Sequence, residues 1–205
     1  MSPRPSLADE RRPAILAAAA EVIRERGLEQ TRVADVATRA GTSAPSVLYW
    51  FASKGELLSE ALTTAEERFY AELSAELGAL PGARERLVRV IESWTGEGDY
   101  DAALWIELWA RSLRDPELAA TRAALDRRWR QAIAEIVREG QETGEFGPGN
   151  PDDIALLLCA LLDGLMVQIT LGDPDCRPER VLGLCLRLAE RELNCQLASL
   201  RMEVS

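Results

Sequence analysis

The chain has 205 residues, enough for one sizeable core or two small domains packed together, with 47% hydrophobic residues, 28% charged residues and a net charge of −10. It contains no histidine, which excludes Ser-His-Asp hydrolases, Cys-His proteases and every imidazole metal site. The cysteines Cys159, Cys176, Cys185 and Cys195 form no C-x-x-C pair and read as free thiols, with no metal or other cofactor expected.

The charge is unevenly spread: residues 1–58 hold eight Arg and Lys against seven Asp and Glu, whereas residues 59–205 hold 16 against 27. A near-neutral head on an acidic body is what two functions with different electrostatic needs would produce, and a merely acidic solvated body would give it as well. The first residues, MSPRPSLADERR, carry no apolar run of signal-peptide length, so a cytoplasmic protein is expected. Periodicity and Gly/Pro punctuation predict about nine helices and no strand, an all-α chain. The first helix covers about 9–26, with Pro13 near its first turn, Ile15, Leu16, Ala19, Val22 and Ile23 on one side, and Gly27 as its stop.

Two short helices follow at about 32–39 and 44–50, separated by Ala40-Gly41-Thr42-Ser43. Thr31 is placed to cap the first of them and Ser43 the second. Val33, Val36, Ala37 and Ala40 form an inward stripe, and Gly41 permits a sharp turn through a positive φ. Pro45 fits the first turn of the second short helix, and Val47 and Phe51 lie four apart on its buried face. This spacing predicts a helix-turn-helix whose second helix exposes Ala44, Pro45, Ser46, Leu48, Tyr49 and Trp50, side chains short or flat enough to approach base edges in a major groove. An ordinary αα-hairpin has the same spacing.

A long helix is expected from about Ser53 to Leu80, then helices at about 83–95, 101–113, 116–143, 151–171 and 177–196. Trp105 and Trp109 are four apart and share a helix face with Asp101, while Trp94 and Trp129 come from neighbouring helices. Aromatic faces beside a carboxylate attract cations; the alternative for each tryptophan is core packing. Glu107 lies about 200° around the helix from Trp105 and is not expected to share its pocket. Asp163 interrupts the apolar stretch Ile154–Leu171 and must be paired, protonated or facing a cavity. It is a candidate counter-ion for a cationic ligand, with Met166 beside it, or else the partner of an arginine on another helix or another subunit. That stretch has the length of a short membrane span, but a central carboxylate and the absence of flanking basic clusters argue for a helix covered on several sides. Leu156, Leu157, Ala160, Leu161, Leu165 and Val167, with Val181, Leu182, Leu184, Leu186 and Leu188, exceed what one core needs; these two helices are the expected dimerisation surface.

The run from Ile15 to Leu58 resembles the N-terminal domain of the tetracycline-repressor (TetR) family: Gly27 and Thr31 in G-x-x-x-T, Asp35 to Ala37 in D-V-A, Ala40 to Ser43 in A-G-x-S, and Phe51 to Leu58 in F-x-S-K-x-x-L-L. Leu104 to Ile133, Gly144 to Asp153 and Leu161 to Gln168 resemble the C-terminal domain of BetI-type members. The resemblance implies a homodimer with a helix-turn-helix domain over 1–52, which a long helix joins to a ligand-binding and dimerisation domain over 53–205. It implies that Ser46 and Tyr49 contact bases or nearby phosphates and that Lys54, the one lysine, binds a phosphate. Arg32, Arg4, Arg11 and Arg12 are further phosphate candidates, and Thr31 and Ser43 are counted among the DNA-binding residues. Leu48 stands where many members have tyrosine.

The expected function is a transcriptional repressor that releases palindromic double-stranded operator DNA when a small hydrophobic or cationic inducer binds, an amine or quaternary ammonium fitting the tryptophans. A helix-turn-helix activator or interaction protein without a ligand is the alternative. No nucleophile has an evident base in the sequence, so no enzyme is expected.

Overall fold

The computed structural model describes residues 7–95 and 102–197. Over these residues the chain forms nine α-helices and no strand: α1 Leu7–Gln30, α2 Val33–Arg39, α3 Ala44–Trp50, α4 Lys54–Gly78, α5 Ala83–Thr95, α6 Ala102–Ser112, α7 Pro116–Glu142, α8 Pro151–Thr170 and α9 Pro178–Leu193. The expected helices fall within a few residues of these bounds. The largest difference is in α1, which runs past Gly27 to Gln30 after a break at that glycine (φ 78°, ψ 167°).

The chain divides into two compact units, one of Met1–Glu72 with Ala103–Leu125 and one of Leu73–Ala102 with Asp126–Ser205. In the first, α2 and α3 are seven residues each, too short to persist alone. They are held by burial of Val36, Ala37, Val47 and Phe51 with Ile15, Ala19, Val22 and Ile23 of α1 and Leu57, Leu58 and Ala61 of α4. Between them the chain turns through a Schellman motif, with Thr42 N–H donating to Ala37 O (2.8 Å) and Gly41 N–H to Thr38 O (3.2 Å). Gly41 supplies the positive φ of 64° that the motif requires. Ser43 then caps α3 by accepting from Ser46 N–H at 3.3 Å.

In the second unit α5 packs on α8 and α9, which also pack on each other. Glu145 anchors α5: its carboxylate accepts from the first amides of that helix, Ala83 N–H (3.1 Å) and Arg84 N–H (3.2 Å), and the Arg84 guanidinium donates to Glu145 O (2.9 Å). Burial raises the Glu145 pKa, but the two amides, the Thr143 hydroxyl and Arg84 outweigh it and leave the carboxyl below its ordinary value.

Helix α8 is apolar enough and long enough to cross a membrane by length and composition, but it is two-faced. Ile154, Ala155, Leu158, Cys159, Leu162 and Met166 are buried, whereas Leu156, Leu157, Ala160, Gly164 and Gln168 face outward. On α9 the structure corrects part of the sequence reading. Val181, Leu182 and Leu186 are core residues of the unit, and the outward apolar residue is Leu184, with Leu188 half-buried.

Candidate DNA-reading surface and ligand site

Helix α3 presents an uncharged face. Tyr49 is 81% exposed, Leu48 and Pro45 are also exposed, and Ala44, Ser46 and Trp50 are partly so. Trp50 meets Tyr49 edge to face at 5.4 Å, which supports the tyrosine from one side. The Ser43 hydroxyl is occupied as the cap.

Three of the surrounding arginines are committed within the unit. Arg12 pairs with Glu60 and its guanidinium stacks 5.1 Å from the Phe51 ring centroid. Arg26 pairs with Asp35, and Arg39 with Glu21 and Glu25. Among the described residues Arg32 and Arg11 are exposed and make no ion pair; Arg4 lies outside the described residues. The Lys54 ammonium donates to Glu29 O at 3.3 Å. Burial holds its pKa below the usual lysine value and Arg111 pushes the same way, while Glu107 and Glu29 act against them.

Thr31 requires a correction. It does not cap α2, whose N-cap is Arg32 with no side-chain bond, and at 1% exposure it is buried and offers no surface for contact with DNA. Its hydroxyl donates backwards to Gly27 O at 2.7 Å, closing a hook over residues 27–31. This is a physical reason for the G-x-x-x-T spacing: the glycine breaks the helix and the threonine ties the break shut. The break frees two amides, and both are taken by a residue that sequence reasoning gave no role. Glu107 of α6 accepts from Leu28 N–H with Oε2 (2.8 Å) and from Glu29 N–H with Oε1 (2.7 Å). A Cβ at position 27 would lie 2.7 Å from Glu107 Oε2, so glycine is required for this approach as well as for its φ. The sequence signal was a single carboxylate in the otherwise apolar LWIELW.

In the second unit the structure gathers three of the expected ligand residues. Trp94 and Trp129 lie with ring centroids 4.1 Å apart and planes at 67°. Asp163 is beside them: its pKa is pushed up to about 6 by burial and then by the charge of Asp126, against a hydrogen bond from Trp94 and the guanidinium of Arg130. Cys159, one turn earlier on α8, is pushed up to about 12 by burial and by Asp163. Met166 is buried three residues on. Asp126 and Arg130 were missed; their i, i+3, i+4 spacing around Trp129 on α7 was the available signal. Trp105 and Trp109 belong to the first unit, Trp105 buried and Trp109 partly exposed, and Asp101 lies outside the described residues. A buried tryptophan pair beside a carboxylate is suited to an organic cation, which would find π faces and a counter-charge together.

Comparison with known proteins agrees with this organisation. Residues 15–61 match the sequence model of bacterial regulatory proteins of the TetR family, and residues 81–194 that of the BetI-type transcriptional repressor C-terminal domain. The chain is 28% identical over 185 residues to the HTH-type transcriptional regulator BetI of Escherichia coli O17:K52:H18, covering 86% of this chain and 91% of that one. A putative transcriptional regulator from Saccharomonospora viridis, solved in complex with choline, superposes with a TM-score of 0.79 at 32% identity, covering 90% of this chain and 97% of that one. A putative TetR-family regulator from Rhodococcus sp. gives 0.78 at 29% identity, with coverage of 90% and 98%. With a helix-turn-helix in one unit, a buried aromatic and acidic cluster in the other, and both halves matched, the chain belongs to the TetR family of bacterial transcriptional regulators, with a BetI-type C-terminal domain.

Proposed function

We propose that the protein is a dimeric repressor that holds a palindromic operator in its ligand-free form and releases it when a quaternary ammonium compound of the choline class enters the Trp94, Trp129 and Asp163 cluster. The observation that carries the ligand class is the tryptophan pair beside two carboxylates, Asp163 and Asp126. The choline bound by the Saccharomonospora viridis protein supports it. A trimethylammonium head has no hydrogen to donate and is recognised by π faces and nearby negative charge, which is the chemistry gathered here, with Met166 adding a polarisable wall.

On the DNA side the reading head of residues 1–52 offers Ala44, Pro45, Ser46, Leu48, Tyr49 and Trp50 to the major groove. Arg32 and Lys54 are offered to phosphates, Lys54 retaining two donors beyond the one spent on Glu29 O. Thr31 and Ser43 act indirectly, by shaping the hook and the cap. In the body of residues 53–205 the outward faces of α8 and α9, with Leu157, Leu161, Leu165, Leu184 and Leu188, are the surface on which a second copy packs. Two-fold symmetry then requires two half-sites at a separation set by the two reading helices. The inducer acts by binding one conformation of the dimer more tightly than the other.

The test is selection of the purified protein against random duplex DNA, with and without choline at fixed salt. A palindrome that is enriched without choline and lost with it supports the reading. A palindrome enriched equally in both would remove choline as the inducer, and no enrichment in either would remove the repressor function.

A further inference from the structure

Three contacts within the first unit join residues that match the C-terminal family model to residues that match the N-terminal one. Glu107 of α6 grips the amides of Leu28 and Glu29. One turn further along α6, Arg111 is close enough to Lys54 to depress its pKa, while the Lys54 ammonium is itself bonded to Glu29 O in the same hook. In the first turn of α7, Glu117 Oε2 lies 3.0 Å from where a Cβ on Gly55 would stand, at the first turn of α4. The hook leads directly into α2 and α3, so whatever holds the hook sets the direction in which α3 points.

The chemistry of the Glu107 contact differs from that of the surface ion pairs around it. The Gly27 break leaves the Leu28 and Glu29 amides without helical partners. A bidentate carboxylate supplies both with charge-assisted bonds, which are shorter and stronger than neutral ones. The two bonds span 79 and 78 residues of sequence, so they fix one helix relative to another and do not merely finish a local turn.

We propose that Glu107 is a positioning residue for operator recognition: its carboxylate tethers α6 to the α1–α2 hook and thereby fixes the reading helix at the orientation that one half-site spacing requires. The proposal rests on the repressor reading for its DNA consequence, and on the hydrogen bonds alone for the tether. The prediction is a loss of spacing discrimination without a loss of phosphate contacts. Wild type should bind its selected palindrome at least about tenfold more tightly than the same palindrome with one base pair inserted at the dyad. In Glu107→Gln, where an amide NH2 replaces one acceptor, most of that discrimination should vanish. The slope of log affinity against log salt should be unchanged, because the same cations meet the same phosphates.

The experiment is a spacing series of the selected palindrome bound by wild type, Glu107→Gln and Glu107→Asp, with amide hydrogen exchange on the DNA-free proteins. Supporting results are reduced spacing discrimination in Glu107→Gln, partial rescue by Glu107→Asp, and exchange at Leu28 and Glu29 accelerated about tenfold or more while Ile15–Ile23 stays protected. Spacing discrimination equal to wild type in Glu107→Gln overturns the proposal. If Glu107→Gln unfolds, Glu107→Asp carries the same comparison, and wild-type discrimination there overturns it. If wild type selects no palindrome, the repressor reading fails on its own; unchanged exchange at Leu28 and Glu29 in the variant then rejects the tether as well, and accelerated exchange retains it.

Discussion

Asp163→Asn separates a carboxylate kept for ligand binding from one kept for structure, because the two roles predict opposite changes in stability. The folded protein holds Asp163 at about 6 against an ordinary value of 3.8. The folded state therefore binds more protons than the unfolded state between roughly pH 4 and pH 6, and stability falls as pH rises through that window. At neutral pH the ionised, half-buried carboxylate costs on the order of 2–3 kcal/mol, since each pH unit between the two values contributes about 1.4 kcal/mol. Asparagine keeps the shape and removes the charge. The variant should melt higher by about 4–12 °C for a chain of this size, at matched protein concentration, and, under the proposed function, lose choline affinity.

The same raised pKa sets the pH dependence of binding. If the cation binds only the ionised form, the ionised fraction falls from about 0.9 at pH 7 to about 0.1 at pH 5 for a pKa near 6. Choline affinity should therefore drop about tenfold over that range, equivalent to about 1.4 kcal/mol. A carboxyl at its ordinary value would lose almost nothing. Asp126, Arg130 and the neutral Cys159 thiol are the other titratable groups at the site. Calorimetric titration of choline at pH 5, 6 and 7, with thermal melts of both proteins, measures both effects. A lower melting temperature in Asp163→Asn would refute the reasoning and make Asp163 a structural partner of Arg130; flat affinity between pH 7 and pH 5 would refute the counter-ion role.

Other expectations are simpler. Tyr49→Ala should abolish binding to the selected palindrome in a mobility-shift assay while leaving the melt within about 0.5 kcal/mol of wild type, since the side chain is largely exposed. Glu145→Gln should cost about 1–2 kcal/mol in urea denaturation by weakening the cap on α5. Because the folded pKa of Glu145 lies below its unfolded value of 4.5, its contribution is complete above that value and is lost as pH falls through the folded pKa; the wild-type advantage over the variant should shrink accordingly in acid. Leu157→Glu, at a position 43% exposed on the outward face of α8, should shift light-scattering mass from dimer to monomer with the helical circular dichroism retained.

The reading head is legible in the sequence because its information is local. A cap at Ser43, a positive φ at Gly41 and buried residues at Val36, Val47 and Phe51 each act within a turn or two of the chain. Thr31 misleads for the same reason: local spacing points its hydroxyl forward as a cap, whereas it bonds backwards across a break that only the completed hook defines. Glu107 stands out as a carboxylate in LWIELW, but the sequence does not pair it with anything, because its partners are main-chain amides almost eighty residues away. On α9, counting apolar residues finds a surplus but does not say which face is core, so Val181, Leu182 and Leu186 read as outward when they are not. Around the ligand cluster the aromatic residues advertise themselves, while Asp126 and Arg130 resemble the solvated charges of any long helix.

That Glu107 grips backbone and not side chains has an evolutionary consequence. A salt bridge at this junction would oblige the residues of the hook to change in step with α6. A carboxylate on two amides asks only that position 27 be glycine and that the chain turn there, and it is indifferent to the side chains at positions 28 and 29. Under the proposed function, substitutions on the exposed face of α3 that retune the operator would leave these two bonds in place. A foreign head would have to keep the glycine hook for Glu107 and, beside it, positions equivalent to Lys54 and Gly55 that suit Arg111 and Glu117.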